Sequence, residues 1–564
     1  MNAMRFLSVN LDALLVELPD LAHTQALLAA LRADPVPGII DLVPAARTIL
    51  VCFEPWRTDF AQLTQAIAQR ELGVHAADAG RLIDIPVHYD GEDLDDIAAL
   101  LGISRAEVVR RHAASTWSVA FVGFAPGFAY LTGGDPVFDV PRRSTPRTRI
   151  PAGAVALAGT FSAVYPNATP GGWQIIGTTP TPMWDLSRPQ PALLQPGDRV
   201  RFVDLDAAPA RVPGYAAEVA PVPAHAAAAN NAAGTGARTE ACQMATPSMA
   251  SALRVIASGL LTTFQDPGRK GQTGQGVSAS GAMDQGALKA ANRLAGNAPD
   301  AAALETTAGG LVLQSQGDTV VAVTGAQAPL HVKAADGHGW NVPLHQAIAL
   351  ADGDRLHVGA PTTGLRNYVA VRGGFVLEPV LGSYATDTLA HVGPAPLQPG
   401  MVLPVRTAPA AAVIAIEDAL GTALPATGDE VVLDVVLGPR TDWFTPEALE
   451  LLQQQRWQVT PQSNRVGLRL HGEVPLARRL TQELASEGTP AGALQVPASG
   501  QPVLFLADHP LTGGYPVIGC VAPYHLDLAG QVPVGAWLRF RVVRAFEAVE
   551  LPAPVSIESC KAQP

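Results

Sequence analysis

Four arginines, Arg142, Arg143, Arg147 and Arg149, crowd into Pro141-Arg-Arg-Ser-Thr-Pro-Arg-Thr-Arg-Ile-Pro151 with no acid among them. A guanidinium grips carboxylate or phosphate with a two-pronged fork, and flanking prolines stiffen the loop that carries it. The chemistry this suggests is capture of a small oxyanion and compensation of charge developing on it. A solvated loop pairing with scattered acids is the competing reading. Just upstream, Gly123-Phe-Ala-Pro-Gly-Phe-Ala-Tyr-Leu-Thr-Gly-Gly134 combines aromatics, Tyr130 among them, with glycines that let backbone approach a ligand. An edge loop packed on the core has the same composition.

A second glycine-rich stretch, Gln265-Asp-Pro-Gly-Arg-Lys-Gly271 and Gly274 through Asp284, precedes a helix with Asp284 as N-cap, ALKAANRLA as body and Gly296 as stop. It lacks the G-x-x-x-x-G-K-[ST] order, and Asp284 at the cap repels an anion, so a phosphate cradle reads poorly there. Asp266, Glu305, Asp508 and His509 stand beside turn residues and are candidates for acid–base work, each also readable as a satisfied structural group. His88, inside the strand-like RLIDIPVHYD, reads as a packed or hydrogen-bonded histidine more than as a base. The chain has no G-x-S-x-G elbow, no H-E-x-x-H, no dinucleotide fingerprint and no Gly-Gly-Ser-Ser amidase segment.

The elements that position these residues are written twice. PAGAV at 151–155 returns as PAGAL at 490–494, GGWQIIG from Gly171 returns as GGYPVIG from Gly513, and Arg201-Phe202 returns as Arg539-Phe540. Matched glycines in matched order predict the same chain path twice, hence two related barrels. The 53 Gly and 49 Pro favour many turns between short strands, so the fold is expected to be mainly β. At 564 residues the chain should form three or four units. We expect a small α/β unit over 1–82, a barrel over 83–206, an Ala/Pro-rich linker over 207–250, and a second half over 251–551 with an internal boundary near 408–430. Ser104 and Glu107 form a capping box opening one helix of the first barrel.

The net charge of −12 argues against nucleic-acid or anionic-membrane binding. Four dispersed cysteines without C-x-x-C spacing predict no structural disulfide and a reducing compartment. The N-terminal stretch lacks a signal pattern, so the expectation is cytoplasmic.

GFAPGFAYLTGG, PRRSTPRTRIPAG, YPNATPGGWQIIG and LLQPGDRVRF resemble allophanate hydrolase subunit 1, the KipI type, over about residues 5–205. TTFQDPGRKGQTGQGVSASGAMDQGALKAANRLAGN, AALETTAGG and GALQVPASGQPVLFLADHPLTGGYPVIG resemble subunit 2, the KipA type, over about residues 253–545. Their fusion in this order resembles the joined B and C subunits of bacterial ATP-dependent 5-oxoprolinase. The resemblance implies two cyclophilin-like β-barrel halves in tandem behind an α/β N-terminal unit. It also implies a lactam or amide substrate, ATP as co-substrate with magnesium, and a separate A subunit of LamB/YcsF type; homo-oligomerisation stays open.

Under the same resemblance, Arg142, Arg143, Arg147 and Arg149 hold phosphate or the substrate carboxylate, and Tyr130 and Trp173 wall the pocket. Gly171, Gly172, Gln265, Arg269 and Tyr515 complete the binding set. Asp266, Asp284 and Glu305 hold magnesium or move a proton, with no ligand set assigned to a metal. Two alternatives share these domains: the carboxyltransferase portion of urea carboxylase, although no Met-Lys-Met biotin site is present, and a non-catalytic inhibitor of a histidine kinase. Gly177-Thr-Thr-Pro180, Ser463-Asn-Arg-Val-Gly467 and Gly382-Ser-Tyr-Ala-Thr386 depart from family-typical Gly-Arg-Thr-Pro, Ser-Asp-Arg-Met-Gly and Gly-Ser-Arg-Ser-Thr.

Overall fold

The computed structural model describes residues 4–72, 80–143, 145, 147–207, 249–409 and 423–551. The expected linker lies almost wholly outside these residues, as does the centre of the expected internal boundary.

Apolar runs alternate with capped helices at the N-terminus. The strands Met4–Asn10, Ala13–Glu17, Ile39–Pro44 and Thr48–Phe53 form a sheet beside the helices Leu21–Ala33 and Phe60–Ala68, whose N-caps Asp20 and Asp59 accept from the backbone N–H three residues on. Phe6, Leu14, Val16, Leu27, Ile49 and Leu63 fill the layer between. The fifth strand of this sheet is Ala548–Leu551, from the far end of the chain, antiparallel to Met4–Asn10. The small unit is therefore completed by the second half, which its local sequence pattern does not announce.

The repeat read in the sequence is a repeat of strand order. In the first barrel Leu82–Val87 lies parallel to Arg199–Asp204, followed across the sheet by Thr116–Val122, Ala129–Thr132, Phe161–Val164, Ala154–Ala158 and Gln174–Thr178. A His88–Thr178 bridge, with paired backbone bonds of 2.8 Å, brings the last strand back to the first. In the second barrel Glu430–Leu437 lies parallel to Trp537–Arg544, followed by Trp457–Val459, Gly467–His471, Val503–Phe505, Ala493–Gln495 and Val517–Val521, which closes on Glu430–Leu437. The circular order is the same.

Small devices recur with it. Trp117 and Trp457 are fully buried, and each donates its indole N–H to a carbonyl five residues earlier, His112 at 3.3 Å and Leu452 at 3.1 Å, tying helix end to strand start. Gly153 and Gly492 hold φ of +82° and +86°, the left-handed turn that admits the next strand.

Between the barrels, residues 249–409 build a six-stranded and a five-stranded sheet around Leu253, Leu313, Val323, Leu356 and Val369. The helix Gln285–Ala295 packs on them, started by Asp284 and stopped by Gly296 at φ +79°, as the sequence predicts.

Candidate functional site

Each barrel carries a two-stranded ribbon ahead of its Pro-Ala-Gly turn. In the first, Arg147–Ile150 pairs with Thr169–Gly171; in the second, Glu487–Gly488 pairs with Thr512–Gly513. The arginine segment is thus the first-barrel ribbon and its approach, and Gly-Gly-aromatic is the return arm in both copies.

The four guanidinium groups do not converge. Asp93, the N-cap position of Leu94–Leu101, is almost fully buried and takes Arg143 Nη1 at 2.6 Å and Arg147 Nη1 and Nη2 at 2.9 and 2.8 Å. Arg147 Nε adds Glu92 at 2.8 Å. Burial works to raise the Asp93 pKa, but the Arg147 hydrogen bonds, the Ile175 N–H and both guanidinium charges outweigh it and hold the carboxyl below its ordinary range. The acid absent from the segment itself arrives from far upstream, which loop composition could not reveal. Arg149 is exposed and makes no ion pair among the described residues.

Arg142 is different. It also makes no ion pair among the described residues, and it turns toward the second barrel, where a Cβ on Gly514 would lie 2.9 Å from its Nη1. Its charge reaches the hydroxyls of Tyr130 and Tyr165. Tyr130 Oη lies 3.5 Å from Ser486 Oγ across the seam between the barrels. Thr512 is buried, faces the same point without a well-formed hydrogen bond for its Oγ1, and fits only because position 123 is glycine: a Cβ there would meet that Oγ1 at 2.6 Å. Burial pushes the Tyr130 pKa up, against Ser486 and Arg142, so at neutral pH the phenol is a donor and not a base.

Trp173 stands edge-on to Phe128 and Tyr130, with centroids 5.5 Å away in both cases, and Gly172 O accepts from Arg143 N at 2.8 Å. Gly171 lies against Tyr165, whose hydroxyl would be 2.4 Å from a Cβ there. Tyr515 is 42% exposed beside Gly514, with the Arg478 guanidinium 5.7 Å from its ring centre. The seam therefore joins Arg142, Tyr130, Trp173, Gly171, Gly172 and Tyr515 with three residues the sequence pattern does not single out, Tyr165, Ser486 and Thr512. Only the mirrored Gly-Gly-aromatic motifs could have pointed to the last of these.

The second-half candidates sit elsewhere: Asp266, Gln265 and Arg269 bond within residues 249–409, while Glu305 and Asp284 reach the second barrel through Arg465 and Gln531. Asp266 accepts from Ser383 Oγ at 2.6 Å, Tyr384 N at 2.7 Å and Gly268 N at 2.8 Å. Glu305, 1% exposed, accepts from Met283 N at 2.9 Å, Tyr368 Oη at 2.7 Å and Arg465 Nη1. Arg465 also holds Asp508 through Nε at 2.9 Å and Nη2 at 3.0 Å. Gln265 bonds Thr263 and the Thr386 carbonyl, and Arg269 bonds the Ala385 carbonyl. Asp284 caps its helix through Ala287 N and takes Gln531 Nε2 at 2.8 Å; burial, opposed by the cap and reinforced by the charges of Asp527 and Glu305, lifts its pKa to about 6.

Asp266, Asp284 and Glu305 do not fit a magnesium ion. Their oxygens are taken by N–H, O–H and guanidinium donors, and no group of three or more His, Cys, Asp or Glu among the described residues could hold a metal. No described helix is long and apolar enough to cross a membrane.

Paired barrels with a seam between them define the class. The chain belongs to the carboxyltransferase-domain family: the model for subdomains C and D matches residues 4–194, and that for subdomains A and B matches residues 275–542. Among individual relatives, the second half is similar to the C subunit of 5-oxoprolinase from Escherichia coli strain K12, 35% identical over 293 residues, covering 51% of this chain and 90% of that protein. The first half is similar to the B subunit of 5-oxoprolinase from Bacillus subtilis strain 168, 36% identical over 194 residues, covering 32% of this chain and 80% of that protein. The crystal structure of TTHA0988 matches both halves at once, 32% identical with a TM-score of 0.74, over 94% of this chain and 99% of that one.

Proposed function

We propose that this chain is the fused B and C component of an ATP-dependent 5-oxoprolinase, which opens 5-oxo-L-proline to L-glutamate together with a separate A-type subunit. The observation that most supports this reading is Arg142. A guanidinium from the B-like half, without an ion pair among the described residues, meets Gly514 of the C-like half just past the Thr512–Gly513 strand, so the site needs both halves.

In this reading Arg142 pairs with the carboxylate of the lactam, and Tyr130, Ser486 and Thr512 offer hydroxyls around the ring amide. ATP is the co-substrate: its terminal phosphoryl group passes to the lactam carbonyl oxygen with release of ADP, one water adds to that carbon, the C–N bond breaks as the nitrogen takes a proton and leaves an acyl phosphate, and a second water hydrolyses that to the carboxylate and phosphate. Glu305 anchors residues 249–409 to the second barrel through Arg465, Asp266, Gln265 and Arg269 hold the chain within residues 249–409, and Asp93 positions Arg143 and Arg147.

The test mixes the purified chain with an A-type subunit, ATP and 5-oxoproline, and measures glutamate and phosphate together. Glutamate and phosphate in equal amounts are expected; no glutamate with an A-type subunit of proven competence overturns the reading. The carboxyltransferase family supports one further reading, carboxyl transfer from a biotinylated carrier supplied in trans. Carboxybiotin consumption in place of glutamate release would establish it.

A further inference from the structure

The strands of the six-stranded sheet, Met249–Ser258, Leu311–Gln316, Leu330–Lys333, Gly339–Val342, Arg355–Val358 and Val402–Arg406, contain no aspartate or glutamate. In a chain of net charge −12 this is a local inversion. Register shows how the cations line up. Lys333 stands directly opposite Arg355, Arg355 opposite Gln314, and Gln314 opposite Arg254, one row across four neighbouring strands, with His331 opposite His357 in a parallel row. At the usual strand spacing the row spans about 14 Å. Lys333, Arg355, Arg254 and His331 are exposed, and none of the three fixed cations makes an ion pair among the described residues. His357 Nε2 is buried without a hydrogen-bond partner.

Like charges directly opposite on adjacent strands weaken a sheet. A fold under selection for stability alone would place an acid at one of these positions, so the uncompensated row indicates use. Its span of about 14 Å fits a protein surface and exceeds what a small anion needs. The strongly negative remainder of the chain disfavours a nucleic acid. We propose that this outer sheet face docks the carboxylate-bearing surface of the A-type subunit, a placement that rests on the functional reading above. Charge pairing across such a face would steer association and fix orientation.

The test measures the affinity of a purified A-type subunit for the full chain at low and moderate salt, with K333E and K333E/R355E variants. Both variants are expected to bind at least tenfold more weakly at low salt, with a flatter salt dependence. K333E replaces a cross-strand repulsion with an attraction, so its melting temperature should equal or exceed that of the wild type, which separates lost binding from lost folding. A wild-type complex that both variants leave unchanged in affinity and salt dependence overturns this surface alone. Failure of the wild-type chain to bind a competent A-type subunit overturns both the surface and the functional reading.

Discussion

Arg142 and Gly514 constrain one another across the seam, and that gives the functional reading a sharp handle. R142A removes a charge-assisted contact of about 1.5–3 kcal/mol, so KM for 5-oxoproline should rise roughly 10- to 100-fold, with little effect on 2-pyrrolidinone, which lacks the carboxylate. G514A places a methyl 2.9 Å from the guanidinium, the movable end of a long side chain, so the fold should survive while steady-state kinetics show KM raised about tenfold. Asp93 makes a different prediction. Its folded pKa is depressed, so its stabilisation is complete above the unfolded value near ~4 and is lost as pH falls through the lower folded value. D93N leaves two guanidinium groups without their buried counter-charge and should cost about 2–3 kcal/mol in urea denaturation at pH 7, with the deficit shrinking below pH ~4. The arginine segment was legible as a cationic cluster; that Asp93 neutralises half of it was not, because the pairing depends on a contact some fifty residues away.

Turn glycines, which a repeated motif made visible in the sequence, also set what each barrel tolerates. G153A and G492A both force a Cβ into the left-handed region, at a cost of about 1–2 kcal/mol. At Gly153 the new atom also meets the Thr179 carbonyl at 2.5 Å, whereas at Gly492 the nearest atom, the Val521 carbonyl, is 2.9 Å away. Calorimetric melting should therefore rank G153A below G492A. The barrels could be read because glycine and proline mark backbone geometry locally, in a fixed order. The strand Ala548–Leu551 could not be assigned to the N-terminal sheet on the same basis, since a short edge strand carries no signal naming its partner. Nor did spacing show that Asp266 and Glu305 face inward. Turn-flanking acids look alike whether they meet substrate or, as here, backbone N–H groups and Arg465.

The units are joined by polar contacts as well as by strand pairing. Arg440 of the second barrel holds Glu17 of the N-terminal sheet at 3.0 Å together with Glu487 beside the seam. At the other joint, Asp527 accepts from Gln285 N at 2.9 Å and Gly286 N at 3.0 Å, placing a second carboxylate at the helix start that Asp284 already caps. Asp284 carries a pH dependence. Its folded pKa of about 6 lies above the unfolded value near ~3.9, so between these the folded chain binds more protons than the unfolded one. Stability from this group is therefore greatest below pH ~4, declines as pH rises through 6, and stands about 2–3 kcal/mol lower at pH 8. D284N keeps a good N-cap and removes the titration. Denaturation should find its stability relative to the wild type rising by about 2–3 kcal/mol from pH 4 to pH 8, offset at every pH by the Gln531 Nε2 bond the amide cannot accept, with 5-oxoproline turnover retained. An equal difference at both pH values would show that the Asp284 charge is not what strains this joint, and loss of turnover in a folded variant would return Asp284 to the chemistry.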